Sequence, residues 1–172
     1  MMVSFERADK SQAQLLSEIA GLTFIESHGH SAKSEDINNF ITQKYNPETL
    51  TAELINSKNN YYLIYYQNRL AGFSNIIYNF RYADIEMENV SKLERIYILK
   101  EFYDLKLGYH LFEFNRNLAS ENNQKGMWLF VWKENARAIK FYKKNGFEVI
   151  GEFDYRISET HSNPNYQMFL KL

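Results

Sequence analysis

The first part of the chain combines short polar breaks with apolar positions at helical spacing. A short strand at Val3–Arg7 precedes a predicted helix whose apolar positions recur every three or four residues: Leu15, Ile19, Leu22 and Ile25. Ser34 is a predicted N-cap for a second helix that runs to about Gln43. Asn46 followed by Pro47 is typical of a third helix start, because proline at the first helical position lacks an amide that would have no partner there.

From Asn60 onward the pattern changes to the period of β-strands. Residues 60–80 are aromatic and β-branched and have Gln67 and Asn68 between two apolar runs, which predicts a β-hairpin. Further strands are predicted at residues 90–99, 127–132, 147–155 and 167–172, and helices at residues 108–121 and 135–145. Residues 161–166, HSNPNY, are interpreted as a turn into the last strand, and residues 82–88 as a loop or a strand edge.

This order of elements predicts an α/β (α+β) protein with a mixed sheet and helices on both faces. The 172 residues are most simply one domain, 1–172. The formal net charge of −1 gives no overall field that favours nucleic acid or an acidic membrane. Aromatic residues make up 16% of the chain, more than a core needs, which leaves room for a homodimer face.

The composition also bounds the chemistry and the location. Because the chain has no cysteine, disulfides, thiolate nucleophiles and Cys-ligated metals are excluded. No apolar run is long enough to span a membrane, and the first residues lack the apolar core of a signal peptide. We therefore expect a soluble, cytoplasmic protein.

The segment from Leu93 to Phe114 reads as a strand, a short loop and a helix start. The free amides and the positive dipole end of such a helix start make an anion site. Strand–loop–helix units also occur in α/β proteins that bind no phosphate. Lys106 stands where a glycine would ease backbone approach, and Asp104 adds a negative charge beside the expected anion, which Lys106 can offset.

Asn135 and Tyr142 lie on one face of the predicted helix at residues 135–145, and Gly146 ends that helix. By spacing alone, Asn135 is an N-cap and Tyr142 a core aromatic residue with its hydroxyl at the rim. An alternative is that both side chains serve a functional site on that face.

The segment NARAIKFYKKNGF, which follows the strand WLFVW, resembles the late motif of the GNAT acyltransferase superfamily. That motif is Asn-x-x-Ala-x-x-Phe-Tyr-x-x-x-Gly-Phe, and its fixed positions are met by Asn135, Ala138, Phe141, Tyr142, Gly146 and Phe147. Upstream, ERIYILKEFYDLKLGYHL resembles the superfamily's acetyl-CoA motif, [Gln/Arg]-x-x-Gly-x-[Gly/Ala]. Tyr103 falls on its first position, Lys106 on its first glycine and Gly108 on its last position. More narrowly, LTFIESHGHSAKSEDINNFI, YNPETLTAELINS and LERIYI together resemble bacterial spermine/spermidine-type N-acetyltransferases.

The resemblance implies the GNAT fold, a central, mostly antiparallel sheet with helices on both faces. It implies acetyl transfer from acetyl-CoA to a primary amine by direct attack, without a metal. The strand would pair with the pantetheine arm and the loop would bind the diphosphate, so the implied cofactor-binding residues are Ile96, Tyr97, Ile98, Tyr103, Asp104, Leu105, Lys106, Leu107, Gly108, Tyr109 and Asn135. The implied catalytic residues are Tyr142, as the proton donor to sulfur, and Glu94, as the base.

Several alternatives accompany these roles. Glu94 can equally be a surface carboxylate paired with Arg95 or Lys92. His28 and His30 would border the acceptor channel, but lone loop histidines are usually solvated. A small amine or polyamine is the favoured acceptor, and a peptide or protein amine is the alternative acceptor. A second alternative is a CoA-binding regulatory protein with little catalysis, which Lys106 and Asp104 in the loop suggest.

Overall fold

The computed structural model describes residues 2–82 and 84–172. Its strands are β1 (Val3–Arg7), β2 (Asn60–Tyr66), β3 (Arg69–Ile77), β4 (Val90–Ile98), β5 (Gly126–Trp132), β6 (Glu148–Arg156) and β7 (Ser162–Lys171). Its α-helices are α1 (Ala13–His28), α2 (Ser34–Lys44), α3 (Pro47–Ile55), α4 (Leu107–Glu121) and α5 (Ala136–Lys144). Short 3₁₀ helices lie at Lys10–Gln12 and Lys100–Leu105. No helix in the described part of the chain is both long and apolar enough to cross a membrane.

Local signals explain where several elements begin and end. Gln67 and Asn68 join β2 to β3 with φ values of 49° and 62°, the left-handed turn that suits the twist of a hairpin. The side chain of Asn46 accepts a hydrogen bond from the Thr49 amide at 2.8 Å, which confirms the predicted cap of α3. The predicted cap of α2 is wrong by one position, because Lys33 is the N-cap and Ser34 is already helical. Gly146 ends α5 with a φ of 90°, a conformation that favours glycine.

The seven strands form one sheet in the order β1-β2-β3-β4-β5-β7-β6. β4 and β5 are parallel, and every other neighbouring pair is antiparallel. The parallel step needs a crossover, which α4 supplies between β4 and β5. The sheet is therefore mixed and mostly antiparallel, as predicted.

Both faces of the sheet are covered by helices. On one face, Leu16 of α1, Phe40 of α2 and Leu50 of α3 pack against Leu63 and Phe73 of β2 and β3. On the other face, Ile64 and Ala71 of the same strands pack against Leu107 and Leu111 of α4. The continuation of that second core holds Phe112 of α4, Tyr142 of α5 and Met168 of β7. Strand alternation thus sends neighbouring residues into two separate cores.

A β-bulge interrupts the predicted alternation of β4. Asn75 of β3 pairs with Arg95, whereas Ile76 pairs with Leu93, so Glu94 is the extra residue. Leu93 consequently packs in the same core as Ile96, while Tyr97 packs toward the α1 side. Simple alternation would place Glu94 on the same face as Ile96 and Ile98, but the bulge shifts the register at that residue.

Two further expectations are corrected. Leu15, Leu22 and Ile25 are 37%, 49% and 49% exposed, so the buried stripe of α1 is the neighbouring one, which includes Leu16 and Phe24. Residues 162–166 are not a turn but the first half of β7, because they pair with residues 152–156 of β6. The turn lies before them, where the amides of Ile157 and Ser158 donate to the His161 carbonyl.

The start of α4 requires an unusual backbone conformation. Lys106 is its N-cap and has a φ of 58°, in the left-handed region where a side chain is disfavoured by about 1–2 kcal/mol. The preceding 3₁₀ helix, Lys100–Leu105, replaces the predicted open loop. Its Phe102 is buried, which fixes the path of the chain into Lys106.

We predict that Lys106→Gly raises the free energy of unfolding by about 1 kcal/mol relative to Lys106→Ala, because only glycine removes the strain at positive φ. Urea denaturation of the two variants measures the difference, and the alanine variant controls for loss of the lysine side chain. Equal stabilities would show that Lys106 is not strained.

Candidate functional site

β4 and β5 separate after three residue pairs, and a cavity opens between them. The last pair is Lys92 with Trp128. Among residues 2–82 and 84–172, residues 93–98 of β4 therefore have β3 as a partner on one edge and no strand on the other. The cavity, about 240 Å³, is lined from both faces of the sheet. We call its two ends the α5 end (Ile96, Ile98, Tyr103, Gly108, Asn135, Ala138, Phe141 and Tyr142) and the α1 end (Phe24, His28, Tyr45, Trp132, Tyr155 and Asn165).

The α5 end combines the free edge of β4 with two helix starts. At the start of α4, Tyr109 is the first residue whose amide bonds back, to the Lys106 carbonyl at 3.0 Å. The amides of Leu107 and Gly108 precede it and have no intrahelical acceptor. Arg137 of α5 lies over the ring of Tyr103 at 3.4 Å and donates a hydrogen bond to its carbonyl at 3.3 Å. Gly108 and Arg137 both line the cavity, so an unpaired amide and a cation border the same space, as an anion site requires.

The predicted loop residues divide into two groups. Tyr103 and Gly108 line the cavity, together with Ile96, Tyr97 and Ile98 of β4. The side chains of Asp104, Lys106 and Tyr109 are exposed, Leu105 is partly buried, and Leu107 is fully buried in the core beneath α4. None of these five residues lines the cavity, so any contact with a bound ligand lies outside it, and the amide of Tyr109 is already bonded to the Lys106 carbonyl.

Asn135 and Tyr142 both line the cavity, and both also have a structural role. The Asn135 side chain accepts a hydrogen bond from the Ala138 amide at 3.1 Å and so caps α5. The Tyr142 ring packs in the core against Phe141 and Phe147. Burial raises the pKa of the Tyr142 hydroxyl above its ordinary value, so it keeps its proton at neutral pH.

Glu94 lines the cavity at the bulge, where its carboxylate lies 2.5 Å from the ammonium of Lys92. Lys92 in turn lies over the rings of Trp128 at 5.0 Å and Phe130 at 5.3 Å. The pairing of Glu94 with Lys92, foreseen as the alternative to a catalytic role, is thus present, but the carboxylate is in the cavity and not on an outer surface.

The α1 end is aromatic. His28 is the last residue of α1 and not part of a loop; its ring stacks on Phe24 at 4.8 Å and lies 5.6 Å from Trp132. Burial and the nearby His30 lower the pKa of His28 to about 4, so the imidazole is neutral at pH 7. Burial also raises the pKa values of Tyr45 and Tyr155, to which the negative charge of Glu94 contributes. His28 is thus partly buried at the cavity wall rather than fully solvated.

A partly buried ion pair lies beside the α1 end. The guanidinium of Arg95 lies 2.6 Å from the carboxylate of Glu53 in α3, and both groups hydrogen-bond the Tyr61 hydroxyl. Arg95 also lies over the ring of Tyr45 at 5.1 Å. The pair joins α3 to β4 directly beside the bulge.

Sequence reasoning missed Arg137, the aromatic wall and a row of amides on β7. Asn163 and Asn165 line the cavity and alternate along one strand face. Their period of two is the signal that would have found them, and the interpretation of residues 161–166 as a turn concealed it. Arg137 has no such signal, since only the fold brings it to Tyr103. Among the residues described, no three His, Asp or Glu side chains group as metal ligands would.

Comparisons with known proteins agree with this geometry. Residues 19–147 match the family model described as the acetyltransferase (GNAT) family. An uncharacterized N-acetyltransferase from Lactobacillus delbrueckii subsp. lactis is 28% identical over 130 residues, which cover 76% of this chain and 75% of that protein. The spermidine N(1)-acetyltransferase of Thermoplasma acidophilum is 24% identical over 156 residues, which cover 87% of this chain and 90% of that protein.

Solved structures show the same fold. The PaiA N-acetyltransferase of Thermoplasma acidophilum, solved in complex with coenzyme A, superposes with a TM-score of 0.80 at 20% identity and covers 100% of both chains. The ribosomal-protein-S18-alanine N-acetyltransferase of Escherichia coli has a TM-score of 0.71 at 15% identity, covering 99% of this chain and 94% of that one. The family model spans most of the sequence, and β4 separates from β5 at the strand that the resemblance assigns to the pantetheine arm. The chain therefore belongs to the GNAT acetyltransferase family and is an acetyl-CoA-dependent acyltransferase.

Proposed function

We propose that the protein transfers the acetyl group of acetyl-CoA to a small primary amine by direct attack. The observation that carries the proposal is the cavity between β4 and β5, which reaches the free edge of β4 at one end and an aromatic wall at the other. The two ends give room for two substrates on opposite sides of the β4–β5 gap, so both can be bound when the reaction occurs.

Three features support acetyl-CoA binding at the α5 end. Residues 93–98 of β4 offer unpaired backbone groups along an edge, to which an extended arm with amide groups can bind as a strand does. The amides of Leu107 and Gly108, with Arg137 beside them, suit a diphosphate. When bound, acetyl-CoA supplies the activated acetyl group.

Tyr142 is proposed to donate a proton or a hydrogen bond to the sulfur of the departing thiol. An ordinary thiol has a pKa of about 8.5, so the departing sulfur carries a negative charge that is basic at neutral pH. A hydrogen-bond donor next to the sulfur stabilises that charge and makes the thiolate a better leaving group. The raised pKa of Tyr142 keeps that donor protonated over the whole neutral range. Asn135 fixes the start of the helix that carries Tyr142.

Glu94 is proposed to accept the proton of the attacking amine, directly or through water. An alkyl ammonium has a pKa of about 10, so the acceptor must lose a proton before or during attack. Glu94 lines the cavity at the point where β4 and β5 part. His28 also lines the cavity, but at its α1 end, where its ring stacks on Phe24.

The acceptor class rests on the relatives and on the cavity. The Thermoplasma relative is a spermidine N(1)-acetyltransferase, which supports small amines, polyamines included, as acceptors. The test is an assay of thiol release from acetyl-CoA with polyamines, simple alkylamines, amino acids, aminoglycosides and peptides. We expect turnover with at least one small primary amine. Acetyl-CoA binding without turnover of any amine would favour a CoA-binding regulatory protein, and turnover of peptides alone would favour a peptide acceptor.

Removing the Tyr142 hydroxyl should slow the chemical step without unfolding the protein. We expect Tyr142→Phe to lower kcat at least about tenfold, since proton transfer by a positioned group contributes ~10²–10⁴-fold. Tyr78→Phe is the matched control, because Tyr78 packs against the same core but does not line the cavity. An unchanged kcat in Tyr142→Phe, at the same KM for acetyl-CoA, would exclude the proposed donor.

Replacing Glu94 should change the pH dependence of the reaction. We expect Glu94→Gln to shift the rise of kcat/KM for the amine to higher pH, because deprotonation of the ammonium then depends on solvent. His28→Gln should leave the position of that rise unchanged, since His28 is already neutral at these pH values. Parallel pH profiles of the three proteins make the comparison, and an unshifted profile for Glu94→Gln would assign the base elsewhere.

A further inference from the structure

The side chain of Lys92 ends in a site of the kind that binds alkyl ammonium groups. Its Nζ atom lies 5.6, 5.0 and 5.3 Å from the ring centres of Phe80, Trp128 and Phe130. The same atom lies 2.5 Å from a carboxylate oxygen of Glu94. Aromatic faces and a carboxylate both attract a cation, and together they are the usual means by which proteins recognise ammonium ligands. We call the three rings and the Glu94 carboxylate the ammonium cage.

The rings of the ammonium cage are held in place by contacts that do not involve Lys92. The indole Nε1 of Trp128 donates a hydrogen bond to the Phe80 carbonyl at 2.7 Å, and the two rings stack with centres 6.0 Å apart. Phe130 stacks on Phe153 at 4.4 Å and meets the ring of Trp128 edge-on at 5.2 Å. We therefore expect the cage to keep its shape when another ammonium group takes the place of Lys92.

The ammonium cage borders the cavity at the point where the sheet opens. Lys92, Glu94 and Phe130 all line the cavity. Lys92 belongs to the last residue pair of β4 with β5, and Glu94 is the bulged residue that follows it. The side chains of Lys92 and Glu94 are 15% and 25% exposed, so the ion pair is not sealed inside the core. A ligand in the cavity therefore lies beside the carboxylate that Lys92 now holds.

Glu94 is also the only negative charge at the wall of this cavity within the described ranges, and Lys92 neutralises it. An alkylamine with a pKa of about 10 arrives as an ammonium ion at neutral pH. Moving that ion out of water without an opposite charge is unfavourable. Lys92 carries a butylammonium group on its backbone, so it competes with such an acceptor for the same carboxylate and the same rings.

On the basis of the proposed function, we propose that the ammonium group of the acceptor binds in the cage of Glu94, Trp128 and Phe130, and that Lys92 occupies this place until the acceptor displaces it. The bound ammonium then lies against Glu94, the proposed base. Phe80 is 42% exposed, so the displaced Lys92 side chain has solvent beside it. Lys92 thus sets the affinity for the acceptor and takes no part in proton transfer.

Removing the competing ammonium tests the proposal. Lys92→Met keeps an unbranched side chain without the charge. We expect KM for a primary alkylamine to fall roughly tenfold, because an occupied site has an apparent affinity reduced by the fraction that is free. The value of kcat should stay within about twofold, since the bound acceptor has displaced Lys92 in the wild type as well. An unchanged or higher KM, or a lower kcat without a gain in affinity, would show that Lys92 only positions Glu94 and would overturn the proposal.

Two further variants control for charge. Lys92→Arg should keep KM at or above the wild-type value, because a guanidinium group also pairs with a carboxylate and stacks on aromatic rings. Lys133→Met is the matched control: Lys133 is likewise paired with a carboxylate, Glu152 at 2.7 Å, and lies 5.0 Å from the ring centre of Tyr166, but it does not line the cavity. It should leave KM unchanged. An equal fall of KM in Lys133→Met would trace the effect to overall charge and overturn the proposal.

Melting temperatures without acetyl-CoA provide a readout independent of acetyl transfer. The probe is butylammonium chloride, compared with sodium chloride at equal ionic strength. We expect butylammonium to raise the melting temperature of Lys92→Met by about 2–4 °C more than that of the wild type, since a tenfold tighter ligand stabilises the folded state further. The double variant Lys92→Met/Glu94→Gln should lose this gain. Equal shifts in the wild type and Lys92→Met would contradict an ammonium site that Lys92 occupies.

The two proposals fail separately. If no amine is acetylated but butylammonium selectively stabilises Lys92→Met, the proposed function fails and the ammonium site stands. If amines are acetylated and Lys92→Met changes neither KM nor the response to butylammonium, only the present proposal fails.

Discussion

The separation of β4 from β5 is the constraint on which the rest of the structure depends. The two strands run parallel for three residue pairs and then part, so residues 93–98 of β4 present an edge of peptide groups inside the fold. Buried peptide groups must be paired, and no strand in the described part of the chain pairs with this edge. The cavity that results has room for an extended ligand with its own amide groups. The two helix starts, of α4 and α5, and the aromatic α1 end are all arranged around that gap.

Side chains beside the gap hold the strands in this geometry. The bulge at Glu94 turns the end of β4, and the ion pair of Arg95 with Glu53 attaches the strand to α3 on one side. Lys92, over the rings of Trp128 and Phe130, lies where the strands are still joined. The pair is partly buried, so removing either Arg95 or Glu53 would leave the other charge without its partner in a poorly solvated place. The charges nearest to the reaction site are therefore already matched.

The sequence predicted the elements whose signals are local. The cap at Asn46, the turn at Gln67 and Asn68, and the stop at Gly146 depend on the conformational preferences of single residues, and all are present. The β7 start was missed because Pro164 resembles a turn residue. The last residue pair between β7 and β5 is Asn165 with Trp132, and Pro164 lies one residue beyond it. No carbonyl of β5 therefore needs the backbone amide that proline lacks. Which stripe of α1 is buried, and where β4 bulges, depend on contacts between distant elements that periodicity does not contain.

The loop before α4 shows what the family's glycine motif requires physically. Lys106 occupies a glycine position of the motif, yet its φ of 58° gives the backbone the left-handed conformation that glycine adopts without strain. The path of the chain is thus retained at the cost of local strain, and the Lys106 side chain is exposed. Exposed charges are screened by solvent and contribute little at a distance. Arg137 is different, because its stacking on Tyr103 at 3.4 Å holds the guanidinium in one place. In the proposed complex with acetyl-CoA, the attraction for the diphosphate would therefore come chiefly from the amides and from Arg137, and Lys106 would contribute through its backbone rather than through its charge.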